Sequence, residues 1–449
     1  MTALIIRGDA QHLPLPDASV DLIVTSPPYY SLRSYTDGGQ KLAGQVGAES
    51  TWQQYIHKLL DCTEEWIRVL KPSGSLFVNL GDKYSSATGP ANGSSKRSMR
   101  PKSLLLLPER YRIAAVDRFG LIARAVIVWQ KPNGLPESVT DRVRRSHEDW
   151  VHLVKQPRYY SAVDEIREPH SSRSIARVAT YGDRDRALLP NRRYAVGDRS
   201  DSTDAKGILG FNRTGSLDPL GKLPGSVWSI PTAPLRVPEH VAVDHFAAFP
   251  PEIPYRLILG WSPPGICTVC GTGRKLVTVN NATVNQRLAE QTVDRAAMSG
   301  GTARSTLGRS AAESGRSALG IMCACTPYVD HPGSGSSGLS YGRSIAGGKY
   351  PAQGENWGAG QNLAARPRSG PRREYVTADW APPPTTPAVV LDPFGGTGTV
   401  AMVASVLGRV GITVDLSQDY CRLAQWRTTD PKQRARIEQR RAVRKGQST

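Results

Sequence analysis

The sequence predicts an α/β fold built on a doubly wound sheet of largely parallel strands, and two observations support this prediction. Short buried strands alternate with amphipathic helices over residues 4–130, the pattern that βα units produce. A second pattern of strand, glycine-rich turn, helix and strand follows at residues 389–414. Residues 156–240, by contrast, contain few apolar runs, which indicates a segment that interrupts the fold.

The elements of the first half follow from hydrophobic periodicity. The expected elements are strands at 4–6, 20–24, 75–80 and 121–129 and helices at 52–70 and 104–119. The strand at 20–24 runs directly into Pro27 and Pro28. Proline cannot continue a central strand, so the chain must leave the sheet there. In open α/β sheets this carboxyl edge is where ligands bind.

The elements of the second half are a strand at 389–391, a helix at 400–407 and a strand at 411–414. The stretches 271–322 and 326–375 are poor in bulky apolar residues, and most of this region is predicted to be a flexible or disordered insertion. The tail from residue 427 carries eight Lys and Arg residues against two acidic ones. It is predicted to be a solvated basic helix.

Composition and charge limit the classes of function. The chain has 449 residues and a formal net charge of +18, which favours a polyanionic partner, most simply nucleic acid. No run of 18 apolar residues exists, so no transmembrane helix is expected. Six cysteines are too few for a disulfide framework. We therefore expect a protein of the reducing cytoplasm.

The segment Ser-Pro-Pro-Tyr after the strand at 20–24 could bind an aromatic amine. Such an amine is a poor nucleophile because its lone pair is delocalised into the ring. Acceptors for both amino hydrogens oppose this delocalisation, and a side-chain hydroxyl and a proline carbonyl held in a stiff loop would supply them. A tyrosine ring could stack on the base, which must be flipped out of a duplex to reach such a pocket. The candidate catalytic residues are Ser26, Pro27, Pro28 and Tyr29. The alternative is a plain proline-rich turn.

The glycine-rich turn after the strand at 389–391 is typical of a nucleotide-cofactor loop. Glycines let the backbone approach a ligand closely, and the following helix offers free N–H groups. Asp415 follows Gly395 by 20 residues at the end of the next strand, where a carboxylate can accept the ribose hydroxyls. The loop residues are Asp392, Pro393, Phe394, Gly395, Gly396, Thr397, Gly398 and Thr399. No Gly-Lys-Ser/Thr sequence is present, so a P-loop is not expected.

Four cysteines in two close pairs predict a structural metal site. Cys267 and Cys270 form one pair, and Cys323 and Cys325 follow after 52 residues. Four thiolates suit a tetrahedral Zn²⁺ that pins the ends of a loop without its own core. The long spacing and the Cys-x-Cys half depart from a regular zinc ribbon, so free thiols remain the alternative.

Together the two motifs, in this order, resemble the β-class DNA amino-methyltransferases, which methylate cytosine N4 or adenine N6 with S-adenosylmethionine. The resemblance covers residues 1–160, 225–262 and 385–427. It implies a Rossmann-like methyltransferase fold in permuted motif order and double-stranded DNA as the substrate. It also implies that Asp9 contacts the cofactor's adenine, and that His245, Phe249 and Pro250 close over its methionine end. It further implies a restriction endonuclease of the same system as an expected partner, and a prokaryotic or viral origin.

The resemblance also suggests roles within residues 128–148. The run Val128–Asn133, followed by Arg142 and Ser146-His147-Glu148, resembles the stretch before the target-recognition region. The alternative for Arg142, His147 and Glu148 is an ordinary charged helix start.

The family pattern favours one base over the other. Members with Ser before Pro-Pro are mostly cytosine-N4 enzymes and those with Asp mostly adenine-N6 enzymes, so Ser26 favours N4. Cytosine C5 methylation is not expected, because the chain has no Pro-Cys pair. The alternatives are adenine-N6 methylation, methylation of RNA or protein, and a non-catalytic, zinc-containing DNA-binding protein.

These patterns divide the chain into six parts. We expect a catalytic half at 1–155, a target-recognition region at 156–235, a cofactor-side segment at 236–262, an insertion with the cysteine knuckle at 263–384, a cofactor-binding half at 385–427 and a basic tail at 428–449. Sequence specificity is assigned to 156–235, because this stretch is rich in Arg, Asn and Asp, which can contact base edges.

Overall fold

The structure is a computed structural model. It describes residues 3–31, 44–85, 99–176, 220–235, 237–241, 248–280, 316–331, 372–375 and 380–446, with the short stretches 36–37, 40–41 and 217–218.

The centre of the fold is an eight-stranded sheet. Its strands are β1 (Ala3–Arg7), β2 (Val20–Thr25), β3 (Leu70–Leu80), β4 (Ile122–Gln130), β5 (His147–Val154), β6 (Val227–Ser229), β7 (Val389–Asp392) and β8 (Val410–Asp415). Their order across the sheet is β1-β8-β7-β2-β3-β5-β4-β6. Neighbouring strands are parallel except β5, which runs antiparallel to β3 and β4. The predicted doubly wound α/β sheet is thus confirmed.

Helices cover both faces of this sheet. They are α1 (Trp52–Val69), α2 (Leu107–Phe119), α3 (Glu252–Trp261), α4 (Thr399–Val406), α5 (Gln418–Thr429) and α6 (Pro431–Gly446), with 3₁₀ turns at Val163–Ile166 and Glu239–Val241. Side chains of β2 and β3 face both ways: Ile23 and Leu76 pack with α1 and α2, whereas Leu22 and Phe77 pack with α3 and α4. Both faces of β2 are therefore buried, as its unbroken apolar sequence predicts.

Helix boundaries follow local chemistry. Thr51 and Gln54 form a capping box at the start of α1, which satisfies two backbone N–H groups. The second helix begins at Leu107 and not at the predicted residue 104, because Leu106 has a left-handed backbone (φ 58°) and Pro108 occupies the first turn. Proline fits there, since its missing N–H would have no partner within the helix.

One predicted strand boundary and one alternative interpretation were wrong. The third strand begins at Leu70 directly after α1, although a break was expected at 71–74, because Leu70 pairs with Val20 beside a bulge. The alternative interpretation of Arg142, His147 and Glu148, an ordinary charged helix start, is also wrong. His147 opens β5, whose first half mixes charged residues with one tryptophan.

The insertion is also more ordered than expected over its described parts. Short antiparallel pairs join Ile266–Cys267 to Thr385–Thr386, Lys275–Asn280 to Arg316–Met322 and Tyr328–His331 to Arg372–Tyr375. A further small hairpin joins Thr36–Asp37 to Gln40–Lys41. The prediction of disorder elsewhere in 271–375 falls outside the described residues.

Candidate active site

Both sequence motifs lie at the same edge of the sheet. Because β2 and β7 are adjacent and parallel, their carboxyl ends bring residue 25 next to residue 392. The Thr25 hydroxyl donates a buried hydrogen bond of 2.8 Å to Asp392 Oδ1. The two motifs, 367 residues apart in the chain, therefore meet as the strand order requires.

The Ser-Pro-Pro-Tyr segment is held in place by α1 and a neighbouring turn. The Tyr55 hydroxyl donates a hydrogen bond of 2.9 Å to the Pro28 carbonyl oxygen. Gly47 (φ 95°) lies so close that a Cβ there would be 2.9 Å from the Tyr29 carbonyl oxygen. Only glycine accommodates both this backbone angle and this approach. The loop is thus fixed from outside as well as by its prolines.

Tyr29 is the centre of a polar network that joins three strands. Its hydroxyl donates to Glu148 Oε2 at 2.7 Å and accepts from Asn79 Nδ2 at 2.8 Å. The Lys131 ammonium pairs with the other oxygen of Glu148. Burial raises the pKa of Tyr29 well above its usual value, and the Glu148 charge raises it further. The hydroxyl therefore stays protonated and remains a donor, which fixes the orientation of the ring.

Asn79 connects this network to Ser26. Its Nδ2 group lies 3.3 Å from Ser26 Oγ and 3.0 Å from Glu148 Oε2. A hydroxyl has two acceptor lone pairs and one proton, so the bond from Asn79 leaves Ser26 able to accept a second hydrogen. Asn79 Oδ1 is buried without a partner among the described residues, an open acceptor beside the candidate catalytic residue.

The glycine loop between β7 and α4 needs glycine at two positions. A Cβ on Gly395 would lie 1.5 Å from Thr413 Oγ1, and one on Gly398 (φ 70°) would lie 2.8 Å from the Ala424 Cβ. The loop backbone is therefore packed against β8 and α5 without space for side chains. Gly398 is the N-cap residue of α4 and has no side chain to cap the helix. The first N–H groups of this helix therefore face the loop without a side-chain acceptor from the N-cap residue.

Two carboxylates lie at opposite sides of this loop. Asp415 accepts hydrogen bonds of 2.9 Å from the backbone N–H groups of Gly396 and Ser417, one on each oxygen. A carboxylate has about four acceptor sites, and these two bonds fix the orientation of the group. Burial raises the pKa of Asp392 well above its usual value, against the opposing bonds from Thr25 and the Phe394 N–H.

A buried arginine, which the sequence did not predict, lies behind the loop. Arg427 on α5 is 3% exposed and donates to Thr399 Oγ1 at 2.6 Å and to the Thr397 hydroxyl. Burial lowers its pKa to about 10, and the charge of Arg436 acts in the same direction. Among the described residues no carboxylate forms an ion pair with it. It therefore places an uncompensated positive charge beside the start of α4.

The other cofactor-side predictions are placed as follows. Asp9 lies after β1 and accepts a 2.9 Å bond from the Gln11 N–H. The Phe394 ring packs edge-on against Trp66 at 5.8 Å, and the Phe249 ring against Trp150 at 5.5 Å. Pro250 is buried before α3, Pro393 is buried in the loop, and His245 lies outside the described residues.

The predicted metal ligands lie elsewhere. Cys267, Cys270, Cys323 and Cys325 cluster with their sulfur atoms within 4.8 Å of one another. The pairing of Cys267 with Thr385, ahead of β7, places this cluster at the amino edge of the sheet, opposite the two motifs.

Sequence analysis missed several residues that shape the site. Asn79 and Lys131 end buried or half-buried strands, and polar residues at strand ends of a parallel sheet are the signal that could have identified them. Tyr55 and Arg427 gave no such signal, because both fit the ordinary pattern of amphipathic helices.

The sequence matches a known protein family. Residues 20–273 match the family model of the N6/N4 DNA methylases. The chain belongs to this family. It is therefore a DNA amino-methyltransferase, for which S-adenosylmethionine is the methyl donor.

Similar proteins include two bacterial modification enzymes. Type II methyltransferase M.Cfr9I of Citrobacter freundii is 32% identical over 279 residues, which cover 59% of this chain and 74% of that protein. Type II methyltransferase M.XycI of Xanthomonas campestris pv. cyanopsidis is 32% identical over 56% of this chain and 69% of its own length. Among solved structures, the PvuII DNA methyltransferase (cytosine-N4-specific) aligns with a TM-score of 0.46 and 13% identity, covering 98% of this chain and 92% of that one.

Within the described residues, no helix is both long and apolar enough to cross a membrane.

Proposed function

We propose that this chain methylates the N4 amino group of a cytosine flipped out of double-stranded DNA. The observation that supports this proposal best is the network of Ser26, Asn79, Tyr29 and Glu148 at the end of β2. The hydrogen bond between Thr25 and Asp392 connects the end of β2, which carries this network, to the cofactor loop. A reacting amine and a methyl donor must meet at such a junction.

The residues around the glycine loop fit the chemistry of S-adenosylmethionine. Asp415 would bind hydroxyl groups of the ribose. The N–H groups at the start of α4, with the Arg427 charge behind Thr397 and Thr399, would bind the carboxylate. A cationic amino group beside Asp392 would favour the ionised carboxyl and offset the burial that raises its pKa. When bound, S-adenosylmethionine supplies an electrophilic methyl group on its sulfonium.

Ser26 and the Pro27 carbonyl would activate the amine by accepting its two hydrogens. This keeps the lone pair on nitrogen, where it could form the new bond to the methyl carbon as the carbon–sulfur bond of the sulfonium breaks and a neutral thioether leaves. The proton that nitrogen then loses would be released to solvent. Asn79 holds Ser26 Oγ from one side, so that the free lone pair has a fixed direction. Because the acceptors are already oriented, little reorganisation is needed in the transition state.

Tyr29 is proposed to stack on the flipped base. Its hydroxyl is anchored by Glu148 and Asn79, and Gly81 lies against the ring, since a Cβ there would be 2.8 Å from Cε2. A ring fixed in this way offers a preformed surface to the base and lowers the entropic cost of binding it.

The proposal extends to the base, the target-recognition region and a partner protein. Ser26 favours cytosine over adenine by the family pattern described above. We assign target recognition to residues 156–235. A cognate restriction endonuclease is the partner we propose, since the relatives M.Cfr9I and M.XycI are Type II methyltransferases.

Nucleoside mass spectrometry of DNA tests this proposal. DNA from cells that express the protein should contain N4-methylcytosine, and DNA from cells that express Ser26→Ala should not. Ser19→Ala is the matched control: this hydroxyl lies at the other end of β2 and donates only to the Pro16 carbonyl in the described residues, so the mark should persist. N6-methyladenine instead would overturn the base assignment. Loss of the mark in Ser19→Ala as well would show that the Ser26 effect is not specific.

A further inference from the structure

The four cysteines form one compact cluster. All four sulfur atoms lie within 4.8 Å of one another, and Cys267 Sγ lies 3.9 Å from Cys325 Sγ. Zinc–thiolate bonds of about 2.3 Å place the sulfurs of a tetrahedron about 3.8 Å apart. A disulfide would need about 2.05 Å, so this group has the spacing of metal ligands and not of a crosslink.

The backbone around the cluster has the form of a knuckle. Cys267 ends a short strand, and the Gly271 N–H donates to the Cys267 carbonyl oxygen at 2.9 Å in a turn that brings Cys270 back. Gly271 has φ 66°, which suits glycine. The Thr272 hydroxyl lies 2.9 Å from Cys270 Sγ and accepts a hydrogen bond of 3.2 Å from the Ala324 N–H. These contacts connect the two cysteine pairs.

The knuckle is packed against the amino edge of the sheet. The Tyr160 hydroxyl donates to the Arg274 carbonyl oxygen at 2.9 Å. A Cβ on Gly273 would lie 2.7 Å from Pro263. Because Cys267 pairs with Thr385, the cluster is linked to the segment that leads directly into β7.

Its distance from the candidate active site follows from the strand. Thr386 and Asp392 are six residues apart, and extended chain rises about 3.3 Å per residue, which gives a separation of about 20 Å. A metal held by four protein thiolates has no open position for substrate. Both arguments exclude the cluster from the methyl-transfer step.

We propose that Cys267, Cys270, Cys323 and Cys325 bind one Zn²⁺ in a closed site that joins the two ends of the stretch 271–322 beside the segment that leads into β7. The metal replaces a hydrophobic core for this part of the chain. Binding should therefore stabilise the fold, and the chemistry at Ser26 should not depend on it. This proposal is independent of which base is methylated.

Metal content is the first test. Full-length protein purified without chelators should contain about one zinc per chain by elemental mass spectrometry, and Cys270→Ser should lose most of it. Cys62→Ser is the matched control, since this buried thiol lies on α1 in the core and should leave zinc bound. Iron at one per chain, or zinc content unchanged in Cys270→Ser, would overturn the proposal.

Cobalt substitution keeps the test decisive if Cys270→Ser does not fold. Wild-type protein reconstituted with Co²⁺ should show thiolate-to-cobalt charge-transfer absorption and the visible bands of tetrahedral cobalt. Their absence from folded protein would refute a tetrathiolate site.

The structural role has its own readout. Removal of zinc should lower the Tm, while turnover measured well below the transition stays within about twofold of the loaded enzyme. Protein that keeps its circular dichroism spectrum and Tm without zinc but loses turnover would refute the structural role.

Discussion

The Tyr29 hydroxyl offers a sharp test of the polar network. Tyr29→Phe keeps the ring and removes the donor to Glu148 and the acceptor for Asn79, at 2.7 and 2.8 Å. A hydrogen bond to a charged group contributes about 1.5–3 kcal/mol. If all of this free energy serves to align the site in the transition state, the rate of the methyl-transfer step falls by about 10- to 150-fold, at about 1.36 kcal/mol per tenfold. The affinity for DNA should change little, because the stacking ring remains.

Single-turnover methyl transfer to a DNA substrate, measured beside the dissociation constant for the same DNA, checks this expectation. Tyr30→Phe is the matched control, since the Tyr30 hydroxyl donates only a longer, exposed bond of 3.2 Å to the Ser50 carbonyl oxygen among the described contacts. Its rate should stay within about twofold of wild type. A Tyr29→Phe rate equal to that of Tyr30→Phe, with unchanged stability, would show that the network does not position the ring.

Three further expectations concern the cofactor loop and the core. Asp415→Asn should weaken cofactor binding by about tenfold or more, because a charge-assisted acceptor is lost; calorimetry that finds an unchanged dissociation constant would exclude the ribose role. Gly395→Ala should lower both Tm and cofactor affinity, since the new Cβ would lie 1.5 Å from Thr413 Oγ1; a variant that binds the cofactor like wild type would show that the loop can move aside. Burial lowers the pKa of His152 to about 3, so the unfolded chain takes up a proton below about pH 6.5 and the folded protein does not. The free energy of unfolding should therefore fall by about 1.4 kcal/mol between pH 7.5 and pH 5.5. Urea denaturation at pH 7.5 and 5.5 should show a smaller loss in His152→Gln, and equal losses would contradict this assignment.

The parts of the fold that the sequence predicted are those in which local pattern and tertiary role agree. Residues 20–25 are apolar throughout because both faces of β2 are covered, and the prolines after it mark the edge where the chain leaves the sheet. The glycine loop could also be predicted from the sequence, since no other residue type fits at Gly395 and Gly398. The proximity of this loop to the Ser-Pro-Pro-Tyr segment could be inferred from the rule that ligands bind at the carboxyl ends of parallel strands.

The parts that sequence analysis missed depend on contacts between distant segments. His147–Val154 pairs with two strands, and that pairing, which no local pattern reveals, makes it a strand. Arg427 has the spacing of a solvated helix residue, yet its position under Thr397 and Thr399 buries it. Asn79 could not be assigned a role before the register of β3 and β5 placed it across from Trp150 and near Glu148.

The bond between Thr25 and Asp392 has a consequence for the synthesis of the protein. A ribosome adds about 5–20 residues per second, so the 367 residues between the two partners take roughly 20–70 s to produce. During that interval β2 has its neighbour β3 but lacks β7, and one edge of a buried strand stays unpaired. Such an edge is prone to aggregate, and a growing chain could not bring a methyl donor to the amine pocket. The order of motifs thus delays activity until β7 and the glycine loop have been synthesised, and it makes early folding a stage at which chaperones would be expected to act.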